Sequence, residues 1–448
     1  MLNNDQALER AADAVARARR AGADAADAVF SADRSLSVSV RMGALEDVER
    51  SEAEELDLRV FVGKRSASVS TSDLSSDAIA TLVERVVAMA REAPEDQWAG
   101  LAPEDRLMHG APPNLDLDDG AEVEPAALKA RALAAEEAAR GVAGVTNSEG
   151  AGAGASRVQL ALVTSHGFHG AYAQSSHGIS ASVLAGSDGA MERDYAHHSA
   201  RHATQLDSPE AIGRLAGERA VARLNPRKIP SGAMPVVFDR RVSSGLLGHL
   251  MGAISGAAIT RKTSFLLDAL GTQIFAPGVT IWDDPHRPRG MRSRAFDGEG
   301  LPVSRMQIVR EGMLETWLLE SAAARQLGLE PTGHATRGGG GAPGVSPSNL
   351  YMEAGHVPAE TLIGEIEHGL YVFELIGQGV NGVTGDYSRG AAGFLIEKGE
   401  LTVPVSEITI ASNLKDMFLA LTPANDLEFR YGINAPTVRI DGMTIAGA

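Results

Sequence analysis

One local pattern occurs twice in the first half of this chain: an amphipathic helix, a set of strand-like alternations, then a second helix. Residues 5–21 place Leu8, Ala11, Ala12, Val15 and Ala18 at three- and four-residue spacings, the signature of one buried helical face. Leu36, Val38 and Val40 then alternate with Ser and Arg, and Leu56, Leu58, Val60 and Val62 repeat that alternation, as half-buried strands do. Ser66–Ser70 reads as an edge strand with Ala67 and Val69 on one face. Ser75 or Ser76 caps a helix carrying Ile79, Leu82, Val83, Val86 and Val87, which ends before Pro94. The second round begins with a helix over about 125–140. Strand segments follow at Arg157–Val163, Gly170–Gln174, Ile179–Leu184 and Met191–His197. A closing helix over about 208–224 has Ser208 as cap and Pro209 at its first position. The chain is therefore expected to be α+β, with two related helix–strands–helix modules at 1–94 and 125–227. The Pro-, Asp- and Gly-rich segment 95–124 reads as a linker.

After Pro226 and Pro230 the character changes. Pro235–Asp239 is a buried-strand candidate, a Gly-rich apolar helix around His249 follows, and short apolar runs then alternate with Gly-rich turns. This predicts a third, large and mostly antiparallel β domain over 228–448, consistent with a length of 448 residues. The net charge of −17 argues against a general nucleic-acid binder. The nearest basic run, Arg287–Arg294, sits beside Asp283, Asp284, Asp297 and Glu299 and reads as a solvated loop. There is no Cys, which excludes thiolate metal sites and fits a reducing compartment. A polar N-terminus and an apolar run too short to span a bilayer point to a cytoplasmic protein without membrane contact.

His249 is the residue that raises the question of chemistry. A zinc hydrolase needs about three protein ligands and commonly a carboxylate to handle the proton of metal-bound water. The residue after His249 is Leu250, and no second His follows within two turns.

Four segments of the third region together resemble the TldD/PmbA family, and its TldE (PmbA) branch in particular. They are Leu247-Gly248-His249-Leu250 with Gly256–Phe265; Asp297-Gly298-Glu299-Gly300 followed by Glu311-Gly312-Met313-Leu314; Ser348-Asn349-Leu350-Tyr351; and Gly382–Phe394 running into Ile396–Glu400. The resemblance implies a family of zinc metalloproteases acting on unfolded peptides, in which TldD-type members carry His-Glu-x-x-x-His on this helix and a downstream Cys. On that pattern His249 keeps the first His, Leu250 replaces the Glu, and Ile254 replaces the second His. Only Glu428–Ala435, without Cys, fills the loop where the thiolate would stand. Positions five apart on a helix lie roughly 140° apart, so the family motif itself needs a bend to aim both imidazoles at one metal.

Three further sets invite a chemical reading. Half of the histidines fall within 166–202: His166, His169, His177, His197, His198 and His202. A metal site is the sharp reading. Exposed sheet and turn positions are the favoured one, because no pair is aimed at a common point without help from a turn. Arg337–Gly344 lacks the Gly-Lys-Ser/Thr ending of a phosphate loop and reads as a flexible loop. Thr384-Gly385-Asp386-Tyr387-Ser388 holds an Asp and a Ser, half of a hydrolase set. A tight turn is favoured there, and its place in the family block suggests that it borders a substrate channel.

The function expected from the resemblance is a TldE/PmbA-like subunit of a cytoplasmic metalloprotease. It would have no cofactor of its own and no metal ligands, with zinc in a TldD-like catalytic partner, unfolded peptides as substrates, and a homodimer as its state in isolation. The alternative is a protease-independent interaction protein modulating DNA gyrase or another partner.

Overall fold

The structure is a computed structural model and describes residues 2–187, 189–338 and 341–447. Both helix–strands–helix modules are present, and they share one antiparallel sheet. The first holds α1 (Asn4–Arg20), β1 (Ala25–Arg41), β2 (Ala44–Val62), β3 (Arg65–Thr71) and α2 (Ser76–Glu92). The second holds α3 (Pro125–Arg140), β4 (Val145–Thr164), β5 (His169–Ala185), β6 (Glu192–Ala200) and α4 (Pro209–Ala222). The sheet order is β3-β2-β1-β4-β5-β6, so β1 joins the modules by pairing with β4 from Asp27–Thr164 to Val40–Ala151.

The caps explain why the helices start where they do. Asn3 and Gln6 form a reciprocal capping box on α1, Ser75 accepts from the Ala78 N–H, and Ser208 accepts from the Ala211 N–H with Pro209 at the first helical position. All four helices lie on one face of the sheet. Ala26, Ala28, Phe30 and Ala32 of β1 pack under α1 and α2, and Val38 and Val40 of the same strand pack under α3 and α4. On the opposite face Val29 and Leu162 meet Phe168, Phe296 and Leu301, which seats the sheet against the C-terminal region.

The strands run longer than the sequence pattern suggests. In β4 and β5 the inward positions are mostly Ala and the outward ones Gly and Ser, so hydrophobic alternation is nearly silent there although the pairing is continuous.

The C-terminal region comprises β7 (Gly232–Phe238), α5 (Arg240–Ala253), α6 (Gly256–Thr260), β8 (Ile281–Asp284), β9 (Met306–Arg310), β10 (Met313–Leu314), α7 (Ser321–Leu327), β11 (Ala335–Thr336), β12 (Gly344–Val345), β13 (Asn349–Met352), α8 (Ala359–Gly364), β14 (His368–Ile376), β15 (Asp386–Glu397), β16 (Glu400–Asn413), α9 (Leu414–Leu419), β17 (Leu421–Pro423), β18 (Ile433–Asn434) and β19 (Val438–Ala446). One sheet runs β16-β15-β14-β7-β19-β17, and a further β16–β19 pairing closes it into a barrel. A second runs β10-β9-β8-β13-β18. Pairing is antiparallel except at β7–β14 and β13–β18. The apolar face of α5, with Leu246, Leu247 and Leu250, is part of the same continuous core as the barrel residues Val236, Val372 and Ile410.

Segment 95–124 is tied to both halves. Arg325 donates to the carbonyls of Trp98, Leu101 and Gly100 at 2.8, 3.0 and 3.0 Å, and Ser175 donates its N–H to Leu117. The Arg287–Arg294 loop is not the freely solvated segment expected from its charge balance. Arg289 pairs with Asp116 at 2.5 Å, Arg294 donates to the Ser346 carbonyl, and Ser293 is buried. These contacts are long-range in sequence, which is why local charge counting does not reveal them.

Candidate functional site

α5 is built to present one bare face. The Asp239 carboxylate caps it, accepting from the Arg241 N–H at 2.7 Å and from the Tyr371 hydroxyl at 2.6 Å. Leu246, Leu247, Leu250 and Met251 go into the core. On the other side Gly245, Gly248 and Gly252 are exposed, and a Cβ added at any of them would meet none of the described residues within 4 Å. Such a face costs roughly 1 kcal/mol of helix stability per glycine relative to alanine, and Gly245 on it lines one of the cavities beside the helix. His249 stands half-buried beside these glycines. Burial, with Arg389 adding like charge, holds its pKa below the ordinary histidine value. The imidazole is therefore neutral at pH 7.

The Thr384–Ser388 segment splits between two faces. Gly385 takes a φ of +86° against Asn413 and Phe265, closing the turn that leads into β15. Tyr387 then points inward against His249, while Asp386 and Ser388 face outward. The Asp386 carboxylate accepts from the Thr384 hydroxyl at 2.6 Å and the Asn413 amide at 3.2 Å. Both partners hold it below the ordinary aspartate range. Among the described residues no histidine bonds it, and the half-set for hydrolysis is not completed there.

The helix ends where the family motif would place its second histidine. The Ile254 N–H closes on the Leu250 carbonyl at 3.0 Å, and Ser255 caps α6. Leu250 and Ile254 are both fully buried. The Glu428–Ala435 loop lies near the start of α5, with Glu428 on Arg240, Arg430 on Asp207, and the Asn434 side chain pinning the N–H groups of Arg430 and Tyr431.

Three adjoining cavities outline a cleft between the N-terminal sheet and α5. The first, about 450 Å³, has a floor of Ser37, Ser39, Gly152, Gly154, Gly178 and Ser180 and reaches His197. The second, about 440 Å³, shares His197 and is lined by Tyr195, Arg219, Arg241, Arg430 and Tyr431. The third, about 400 Å³, shares Tyr195, Arg241 and Ser244 and ends at Gly245 and Arg389. The arginine-rich middle was not legible beforehand, since its residues come from β6, α4, α5 and the 428–435 loop. Tyr195 and His197, two apart on one strand and so on one face, were its only local signal.

The six histidines of 166–202 disperse. His166 bonds the Thr164 hydroxyl and the Ala102 carbonyl at 2.8 Å each, and His169 bonds the Gly167 carbonyl at 3.2 Å. His177 is buried against Asp119 at 2.9 Å, unlike the exposed position expected of it. His198 pairs with Asp207 and His202 with Asp116. His197 lies between the rings of Tyr195 and Tyr431. Arg337, at the start of the Gly-rich loop, is fixed on Asp27 at 2.7 Å. Gly339 and Gly340 of that loop lie outside the described residues.

Comparison with known proteins places this geometry. Family models match in three consecutive blocks: PmbA/TldA metallopeptidase domain 1 over residues 26–90, the central domain over 118–224, and the C-terminal domain over 231–447. The chain belongs to the PmbA/TldD family. Among PmbA/TldD relatives it is 40% identical to Metalloprotease PmbA of Escherichia coli O157:H7 over 442 residues, covering 98% of this chain and 96% of that one. It is 38% identical to the Metalloprotease PmbA homolog of Haemophilus influenzae over 436 residues, 97% and 94% of the two chains. A solved structure from Bacteroides thetaiotaomicron, named as a proposed modulator of DNA gyrase, superposes with a TM-score of 0.92 at 28% identity over 100% of both chains. The fold is also that of TldE from Thermococcus kodakarensis, with a TM-score of 0.86 at 21% identity over 98% of this chain and 100% of the other.

The metallopeptidase description implies zinc, and the α5 residues of this PmbA/TldD-family chain do not fit it. One imidazole stands there, beside two buried aliphatic side chains. Among the described residues no group of three or more His, Cys, Asp or Glu is placed to hold a metal ion. Among the described residues no helix is long and apolar enough to cross a membrane.

Proposed function

We propose that this chain is a TldE/PmbA-type subunit of a cytoplasmic TldD/TldE-type metalloprotease. It lines and shapes the peptide cleft while a TldD-like partner carries the working zinc. The observation that carries this reading is the pair Leu250 and Ile254. The positions where the family pattern has Glu and His hold aliphatic side chains sunk in the core, so regaining ligands there would require re-packing α5. The Ser/Gly floor suits an extended, unfolded substrate, because it leaves backbone groups approachable and makes few demands on side-chain identity.

The test is metal content and peptidase activity, measured for the chain alone and with a TldD-like partner. The expected result is a zinc-free chain that is inactive alone and supports chelator-sensitive cleavage of unfolded peptides in the complex. Robust chelator-sensitive cleavage by the chain alone would overturn it. A second reading, modulation of DNA gyrase, draws on the name of the Bacteroides neighbour. Direct binding to gyrase without any protease partner would favour that reading instead.

A further inference from the structure

The middle cavity contains four guanidinium groups, and three of them have carboxylate partners. Arg430 is held by Asp207, Arg240 by Glu428 and Asp426, and Arg241 by Asp194 and Asp239. Arg219 is the exception. One of its N–H groups donates to the Tyr195 carbonyl at 3.1 Å, and no carboxylate among the described residues lies within ion-pair distance of it. Tyr195 and Tyr431 stand at the mouth, both exposed, with the His197 ring between them. Arg219 is thus a half-buried guanidinium with no ion pair among the described residues, in a cavity of about 440 Å³ lined by the rings of Tyr195, His197 and Tyr431 and also by the carboxylates of Asp239 and Glu428.

We propose that this pocket binds a carboxylate carried by an extended peptide, with Arg219 as its anchor and the Tyr195 and Tyr431 rings flanking it. The proposal rests on the subunit reading above for the nature of the ligand, and the pocket supplies a specificity that reading does not contain. A single guanidinium without an ion pair suits a monoanion; a phosphate dianion is disfavoured, because the other three guanidinium groups are engaged and the Asp239 and Glu428 carboxylates also line the cavity. Planar guanidinium and carboxylate can meet in two parallel N–H···O bonds, a strong and geometrically specific pairing. Burial and the neighbouring Arg241 lower the Arg219 pKa, outweighing the carboxylates of Asp194 and Asp239, which act in the other direction from beyond ion-pair distance. His197 adds no charge at pH 7, because burial, Arg219 and Arg430 hold its pKa below the usual range. The route in is the Ser/Gly-floored cavity, which opens onto the pocket at His197.

The carboxylate has two sources in a peptide, the C-terminus and an acidic side chain. Three N-acetylated Gly/Ser decapeptides separate them: one with a free C-terminus, one amidated, and one amidated with a single internal Glu. Each is titrated calorimetrically into the full chain at low salt. At least one of the two acidic peptides is expected to bind about tenfold or more tightly than the neutral amide. Arg219→Gln is expected to reduce that preference to under about twofold. Arg214→Gln, exposed on the same helix, should preserve it. Equal binding of the three peptides, no binding by any, or a preference that survives in folded Arg219→Gln protein would overturn the proposal. The comparison within the wild-type chain decides the matter even where a variant fails to fold. Cleavage of the neutral amide by the assembled complex, with no preference for acid, would leave the subunit reading standing and remove this one.

Discussion

The ring of Tyr387 stands edge-on to the imidazole of His249, with centroids 5.9 Å apart and planes at 82°. The contact joins β15, from the most family-specific sequence block, to the helix that carries the vestige of the metal motif. It is apolar in character: the Tyr387 hydroxyl is buried with no hydrogen-bond partner among the described residues, and burial pushes its pKa up to about 12. His249 is thus a packing element between the barrel and the cleft.

His249→Ala is accordingly expected to leave the peptidase activity of the assembled complex within about twofold of wild type, a barrier change below roughly 0.4 kcal/mol. The measurement is kcat/KM of the complex, with assembly checked by size-exclusion chromatography. A large loss of activity in an intact complex would make His249 functional.

Tyr387→Phe removes a polar atom that finds no partner among the described residues. Leaving a buried hydroxyl unpaired costs about 1–3 kcal/mol, so the variant should be as stable as wild type or more stable by about 1 kcal/mol. Urea unfolding reports this directly. A destabilisation beyond about 1 kcal/mol would mean that the hydroxyl has a partner in solution.

The Asp27 carboxylate is buried between Arg59 of β2 and Arg337. Burial alone would raise its pKa, but the two guanidinium groups outweigh that and hold it below the usual carboxylate value. Asp27→Ala leaves two buried cations uncompensated and should cost about 3–5 kcal/mol. For the sign of the pH effect, the folded value lies below the unfolded one. The contribution is therefore complete above the unfolded aspartate pKa near 4 and is lost as pH falls through the folded value. Acid titration of the unfolding midpoint should show a weaker decline below pH 4 in the variant.

His197, His198 and His249 share the opposite charge logic. Burial is the largest cause of the lowered pKa in each. Well above pH 6.5 all three are neutral in both states, and as pH falls the unfolded chain takes up protons first. Stability is thus complete above the unfolded histidine pKa near 6.5 and falls as pH drops through the folded values. Thermal midpoints at pH 7.5 and 5.5 should differ less in His249→Ala than in wild type. An identical difference would show that this imidazole titrates normally.

Gly248 tests the cleft without touching any polar group. Among the described residues nothing stands within 4 Å of a Cβ placed there, so Gly248→Ala should stabilise α5 by about 1 kcal/mol. Gly248→Leu, which places a side chain on the open face of α5 that also carries the cavity-lining Gly245, should also fold, yet lower the activity of the complex by about tenfold or more. Full activity in Gly248→Leu would place the substrate elsewhere.

Helices α2 and α4 were legible because each announces itself twice, by its apolar spacing and by a cap, Ser75 or Ser208, whereas α3 has no side-chain cap and the short helices after α5 carry too few turns to show a period. The sheet was less so. Strand β4 alternates Ala with Gly and Ser where one face must stay open, and the exposed half of β2 from Ala44 to Ala53 has no apolar face at all. At the candidate site, His249 and Tyr387 were named through family pattern, but their contact spans the whole barrel and has no local signal. That Arg219 has no ion pair among the described residues is a property of four separated segments, so no window of sequence contains it.

The pairing of β1 with β4 sets an order of events during synthesis. Residues 27–40 expose one strand edge until residues 151–164 have been made, with α3 emerging in between. A nascent chain therefore carries an unsatisfied edge across the production of more than the first module, a long-range closure that slows folding and invites mispairing. Cutting the gene between the modules would make that transient exposure permanent. The N-terminal half should accordingly be expressed, swapped or fused only as a unit that includes β4.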